Sequence, residues 1–345
     1  MPSCRPLLAA ALLTLAPPSA TAQCHHFTRE HVDLLSIRWN ASEAALSLMA
    51  SDDDHGGTLY ASNQCVVVCP ESMKFILPDG TPFGSAGDPL WILPQSPYAG
   101  TPYIGVSAET IASGSFHDPM TITLKHLDGP GHFILWQATG LGSLEIRMDT
   151  RDGITDLDTI TPGVGAHEHY NWGFTTSGVY RLTFQAGGRR LGHTTNTLSP
   201  ETPFTFHILP LRPFEVWTAT NWPCECNLKV IGTAADPDGD LAPNAFEYGV
   251  GSNPRQPDSP SQLTVSLVTT QGATHSLLSF AHPLSATDAV CEVVASPSLS
   301  PPQWTLLTNT IATTVTGDLR HVTLQDPARV DQSQRSFYQL RVRLE

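Results

Sequence analysis

The sequence predicts an all-β protein: a large antiparallel β-sandwich domain, a short calcium-binding linker, and a smaller immunoglobulin- or fibronectin-like sandwich. Three observations predict it. Apolar segments with period-two alternation recur along the chain, which is the pattern of strands with one buried face. Turn formers punctuate them, with 29 Pro and 26 Gly in 345 residues. Helical periodicity of the Ala-Glu-Lys-Leu kind is nearly absent.

Residues 1–22 have the layout of a secretory signal. Arg5 precedes an apolar run over 7–16, Pro17-Pro18 breaks it, and Ala20-Thr21-Ala22 gives the small-x-small pattern that signal peptidase accepts. The run is shorter than the roughly 20 residues a membrane span needs. Gln23 stands where lipidation of Cys24 would want a small residue. The mature chain is therefore expected to start at Gln23, with no membrane span, as a bacterial secreted, periplasmic or cell-surface protein.

Residues 23–210 form the expected large sandwich. Strand patterns fall at 44–48, 120–124, 132–136, 144–148, 179–184 and 204–208. The turn formers Asp128-Gly129-Pro130-Gly131, Asp152-Gly153, Ser177-Gly178 and Gly187-Gly188 divide them. An antiparallel sheet of this kind must bury its apolar face against a second layer. Residues 211–260 are a Pro- and Asp-rich linker. Residues 261–345 alternate again at 263–267, 289–294, 321–324 and 337–342, enough for a sandwich of six or seven strands.

The net charge is −14 with only 14% charged residues, so the acidity reflects a shortage of Lys and Arg. That balance disfavours nucleic acid and anionic membranes and suits divalent cations. Of seven cysteines, Cys4 leaves with the signal. An even remainder in an exported chain predicts disulfides, with the pairing left open. Cys65 and Cys69 would lie about 13 Å apart on an extended strand, too far to bridge without a turn. Cys224 and Cys226 are close enough in sequence to reach different partners; a zinc site is the alternative, without a second pair at ligand spacing.

The sharpest motif is Asp236-Pro237-Asp238-Gly239-Asp240, running on to Asn244 and Glu247. Asp236, Asp238, Asp240, Asn244 and Glu247 occupy positions 1, 3, 5, 9 and 12 of a twelve-residue loop, the spacing that wraps calcium, with the last Glu able to bind through both oxygens. Leu241 stands at position 6, where such loops want glycine, so the turn is expected to be made differently. A short helix ending on glycine follows. The segment resembles the Asp-rich calcium linkers of secreted bacterial proteins, akin to thrombospondin type 3 repeats.

A second constellation is built on histidine. His167 and His169, spaced i, i+2 on a strand, point to one face, and His31 and Asp33 repeat that spacing. If the two strands are neighbours, His31, Asp33, His167 and His169 form a site for zinc or copper; otherwise they hydrogen-bond within the sheet. The run Ser51-Asp52-Asp53-Asp54-His55 reads as a solvated loop, with a second calcium site as the alternative. Neither Gly-x-Ser-x-Gly nor His-Glu-x-x-His is present, so an enzyme is not expected.

The chain resembles the bacterial surface-anchored proteins described as choice-of-anchor M domain, over about residues 27–209. The resemblance rests on His31-Val32-Asp33, the segment 83–95, Thr123-Leu124 with Gly129-Pro130-Gly131, and the segment 167–174 continuing to Phe184. It implies extracellular display, in some cases beside a metal-type ABC transporter and its binding protein, and thus capture of a ligand without catalysis. An LPxTG-like sorting signal is lacking. The resulting expectation is an exported, non-enzymatic binding or display protein that captures a metal or metal-linked ligand from an extracellular or envelope partner. A purely structural envelope protein and a metal-dependent hydrolase are the alternatives.

Overall fold

A computed structural model describes residues 24–225, 227–257, 262–330 and 336–345. The expected signal segment, Gln23 and Cys226 lie outside the described residues. Strands dominate, and no helix among the described residues is long and apolar enough to cross a membrane.

Residues 24–209 build three sheets. The first has seven strands, in the order His25–Phe27, Cys65–Cys69, Thr202–Ile208, Gly178–Arg189, Thr121–Asp128 and Thr159–Ile160, with Asn196–Leu198 also paired to Gly178–Arg189. The second runs Leu144–Asp149, Phe133–Ala138, Asn171–Phe174, Pro89–Leu93, Lys74–Ile76. The third runs His167–His169, Tyr103–Ser107, His31–Asn40, Ala45–Asp52, Thr58–Tyr60. Their inner faces meet in one core, where the first sheet contributes Phe184 and Phe206, the second Phe133 and Trp172, and the third Val32 and Ile37. Trp172 and Phe206 approach to 5.6 Å between ring centroids. Each such side chain removed from water contributes about 1.5–3 kcal/mol.

The outer face of the second sheet is also apolar, with Leu90, Ile134 and Trp136, and the chain returns to cover it. Phe83 sits 4.4 Å from Trp136, and the loop carrying it is fastened where Ser85 N donates to Asp88 Oδ2.

Local sequence misled at two places here, while Cys65 and Cys69 behave as the extended-strand spacing predicts. Gly187-Gly188 is not a turn; both lie inside the strand Gly178–Arg189. A Cβ on Gly188 would sit 2.6 Å from Met120 and one on Gly187 2.7 Å from Thr121 Oγ1, so these glycines admit close neighbours. Ser51–His55 is a solvated loop only over its exposed second part, Asp53–His55. Ser51 and Asp52 end a strand and are buried, and a short 3₁₀ turn over Asp53–His55 follows. Cys65 and Cys69 are both free on one unbroken strand, and burial pushes each thiol up to about 12.

Helices Pro213–Asn221, Leu228–Ile231 and Asn244–Val250 follow. Pro213 opens the first, and Glu215 caps it by accepting from Arg212 N at 2.8 Å. The third ends on Gly251 at φ 76°, the short glycine-terminated helix that was expected. Among the described residues that follow, seven strands form two sheets. In order along residues 264–344, the first, second, sixth and fifth make one sheet, and the fourth, third and seventh the other. This is a small two-sheet antiparallel sandwich, but its order differs from the first-second-fifth-fourth and third-sixth-seventh sheets of a seven-strand immunoglobulin domain. Its core holds Leu278, Phe280, Val293, Leu324 and Leu340, with Phe246 and Val250 of the third helix packed into it.

A shared carboxylate and a disulfide are among the links that join the parts. Asp288 accepts from Phe214 N through Oδ2 and from Tyr248 Oη through Oδ1. A disulfide ties Cys24, just before the first strand, to Cys224 between the helices.

Candidate metal centre

The third sheet makes the adjacency on which the histidine site depends. Its second strand, Tyr103–Ser107, lies between the strands of the two His motifs, antiparallel to His167–His169 and parallel to His31–Asn40. His169 and Asp33 both sit opposite Gly105, His167 opposite Ser107, and His31 opposite Tyr103. All four side chains therefore rise from one sheet face around a residue that has none.

The geometry suits a metal. His167 Nε2 lies 2.8 Å from Asp33 Oδ1, and His31 Nε2 lies 3.9 Å from the same oxygen. Adjacent ligand atoms of a tetrahedral zinc ion are roughly 3.3 Å apart. Donor atoms of His31, His167 and His169 come within 4.8 Å of one another, and so do those of His31, Asp33, Asp53 and His167. His31 and His167 are thus common to two overlapping sets. His31 Nε2, Asp33 Oδ1 and His167 Nε2 are buried without a properly directed hydrogen bond. His167 Nε2 and Asp33 Oδ1 thus approach closely without the N–H direction that a hydrogen bond requires.

His169 is oriented from behind. Its Nδ1 donates to Ile104 O at 2.8 Å, which leaves Nε2 as the free lone pair. Burial, more than its neighbours, lowers its imidazole to about 4, so it is neutral and ready to ligate near pH 7. Tyr103 lies flat against it with centroids 3.7 Å apart. Burial pushes the Asp33 carboxyl up, against the opposing pull of His167 and, more weakly, His31. His31 is held where its backbone N donates to Asp54 Oδ2 at 2.9 Å. The turn over Asp53–His55 thereby closes one side, with Asp53 Oδ2 at 3.6 Å from His31 Nδ1.

The strand His167–His169 is locked at its far end. Gln137 Nε2 donates to His169 O, and Gln95 and Asn171 clasp each other by their amides, with Asn171 Nδ2 donating to Gln95 Oε1 at 2.7 Å. Gln95 and Asn171 brace the second sheet, and the Gln137–His169 bond ties that sheet to the edge of the third.

In the acidic loop the carboxylates of Asp236, Asp238 and Asp240 come within 4.8 Å of one another. Lost hydration and the neighbouring carboxylates of Asp240 and Asp236 push the Asp238 carboxyl up. Asp236 shapes the loop by accepting from Gly239 N and Leu241 N. Asn244 and Glu247 lie on the following helix, both fully buried, and Asn244 Oδ1 has no hydrogen-bond partner although its Nδ2 donates to Val230 O and Gly232 O. The expectation that Leu241 forces a different turn is overturned: Leu241 adopts φ 76°, the left-handed conformation of the usual glycine, with its side chain 89% exposed.

No family model, curated protein or solved structure matches this chain. The assignment of both sites rests on the residues themselves. Sequence spacing brought out His31, Asp33, His167 and His169 but missed Asp53, Tyr103 and Gly105. The Asp-rich run beside a histidine and a glycine inside the strand-like Tyr103-Ile104-Gly105-Val106-Ser107 were the available signals.

Proposed function

We propose that this is an exported, non-enzymatic binding or display protein whose N-terminal sandwich holds a zinc ion and whose acidic loop holds calcium. One observation carries the zinc reading: His31 Nε2, Asp33 Oδ1 and His167 Nε2 are buried, meet above Gly105, and lack directed hydrogen bonds. Leaving such atoms unsatisfied costs about 1–3 kcal/mol each, a cost that a cation removes. Imidazole and carboxylate at tetrahedral spacing favour zinc over copper, which prefers a square plane. His31 and His167, about a quarter exposed at 27% and 23%, keep the ion near the surface, in reach of an extracellular partner. Calcium stiffens the connection to the second sandwich, because the helix bearing Asn244 and Glu247 also supplies Phe246 and Val250 to that core.

Metal content by mass spectrometry, on protein purified without chelator or affinity histidines, tests both sites. Stoichiometric zinc should vanish in His167→Ala/His169→Ala, and calcium in Asp236→Asn/Asp238→Asn, each without loss of the other. Calcium alone, unchanged in the histidine variant, would refute the zinc centre and leave a structural or display role.

A further inference from the structure

The outer face of the first sheet is roofed by the linker helices, and a cleft of about 900 Å³ lies between them. That is the size of a small-molecule site, in the position between domains where such sites concentrate. Its floor is one register row across four strands, His26, Val66, Thr205 and Arg181, ending at Asp128. Thr205 is 4% exposed and its Oγ1 has no hydrogen-bond partner, while Arg181 is 8% exposed. A buried hydroxyl facing a cavity without a partner marks a place where a ligand atom can bond.

The roof offers the apolar side chains of Phe214, Ala219, Trp222 and Ile231 beside the polar Thr218, Glu225 and Lys229. Glu215 also faces the cleft, but its oxygens already accept from Val179 N, Arg212 N and Arg212 Nη2. In the next row, burial above all lowers the His207 imidazole to about 4, so near pH 7 it is a neutral hydrogen-bonding group. The deepest cation on the floor is thus the Arg181 guanidinium, whose planar fork matches a carboxylate. Asp128 and Glu215 flank it with negative charge, which opposes a dianion such as phosphate.

We propose that this cleft binds a small organic monoacid, its carboxylate on Arg181 and Thr205 and its apolar body under Trp222 and Ile231. The site is separate from the zinc centre, and neither reading depends on the other. Isothermal titration of the full chain with phenylacetate and hexanoate, against phenylacetamide and inorganic phosphate, tests it. At least one acid should saturate a single site, with the neutral amide and phosphate bound at least tenfold more weakly. Thr205→Val should weaken the acid about tenfold, and Ala219→Phe, which fills the cleft from the helix, should abolish binding, circular dichroism showing both variants folded. Failure of both acids to bind, equal binding of the amide, or saturation unchanged in both variants would overturn the proposal.

Discussion

A methyl group on Gly105 would lie 2.1 Å from Asp33 Oδ1 and 2.8 Å from His167 Nε2, inside the space the ligand atoms share. Gly105→Ala should therefore weaken zinc by at least 100-fold while the sheet remains, since the strand backbone there is extended. Competition with a chromophoric chelator reads the affinity, and wild-type affinity in this variant would put the ion elsewhere. Leu241 poses the opposite case. An L-residue in the left-handed region costs about 1–2 kcal/mol, and this side chain is exposed. Leu241→Gly should stabilise the protein by about 1 kcal/mol in calcium, less what glycine adds to unfolded-chain entropy; a lowered melting temperature would show that the leucine makes a needed contact. The i, i+2 spacing made four residues of the proposed zinc site legible, because strand geometry is local. Gly105, Tyr103 and Asp53 were not legible, because their importance arises from which strands become neighbours.

At the scale of elements, alternation located the strands well: the expected segments at 144–148 and 204–208 fall within strands, and 132–136 does so from Phe133 onward. Composition failed where tertiary packing overrode it. Gly187-Gly188 has turn chemistry, but the closeness of Met120 and Thr121 makes small residues necessary inside a strand. The Asp52 side chain looked hydrated, yet it is fully buried and takes the His55 ring nitrogen at 2.9 Å. Pairing of Cys24 with Cys224 was equally hidden, since only the fold brings positions 200 residues apart together. That bridge closes a long loop, and chain entropy gives an upper limit of about 5 kcal/mol for its contribution. Cys24→Ser should lower the denaturation midpoint accordingly, with an unchanged far-ultraviolet spectrum. No change in midpoint would mean that the linker helices hold their place by packing alone.

Across the whole molecule, stability should depend on pH through groups far from either metal. His207, ordinarily near 6.5, is lowered to about 4 chiefly by burial. Between those values the unfolded chain binds the extra proton, so stability is complete above pH 6.5 and falls as pH drops towards 4. The loss from His207 alone should be about 2 kcal/mol at pH 5. Denaturant titrations at pH 7 and 5 measure it, and His207→Gln should flatten the difference. Calcium removal should act on one part only. Scanning calorimetry with a calcium chelator should lower the transition of the C-terminal sandwich, whose core includes Phe246 and Val250, and spare the N-terminal one. A uniform shift of both would mean that the loop governs the molecule as a single cooperative unit.

The disulfide also bears on the order of events as the chain is made. Synthesis delivers Cys24 first and Cys224 two hundred residues later. Cys65 and Cys69 appear in between and are then the nearer partners for a premature bond. Both finish as reduced thiols within the first sheet, on a strand that pairs with the one following Cys24. Correct oxidation thus requires that Cys24 wait, or that an early bond be exchanged before that sheet closes. Maturation should accordingly be slower in an oxidant without a thiol–disulfide isomerase, and Cys65→Ser/Cys69→Ser should remove most of the delay.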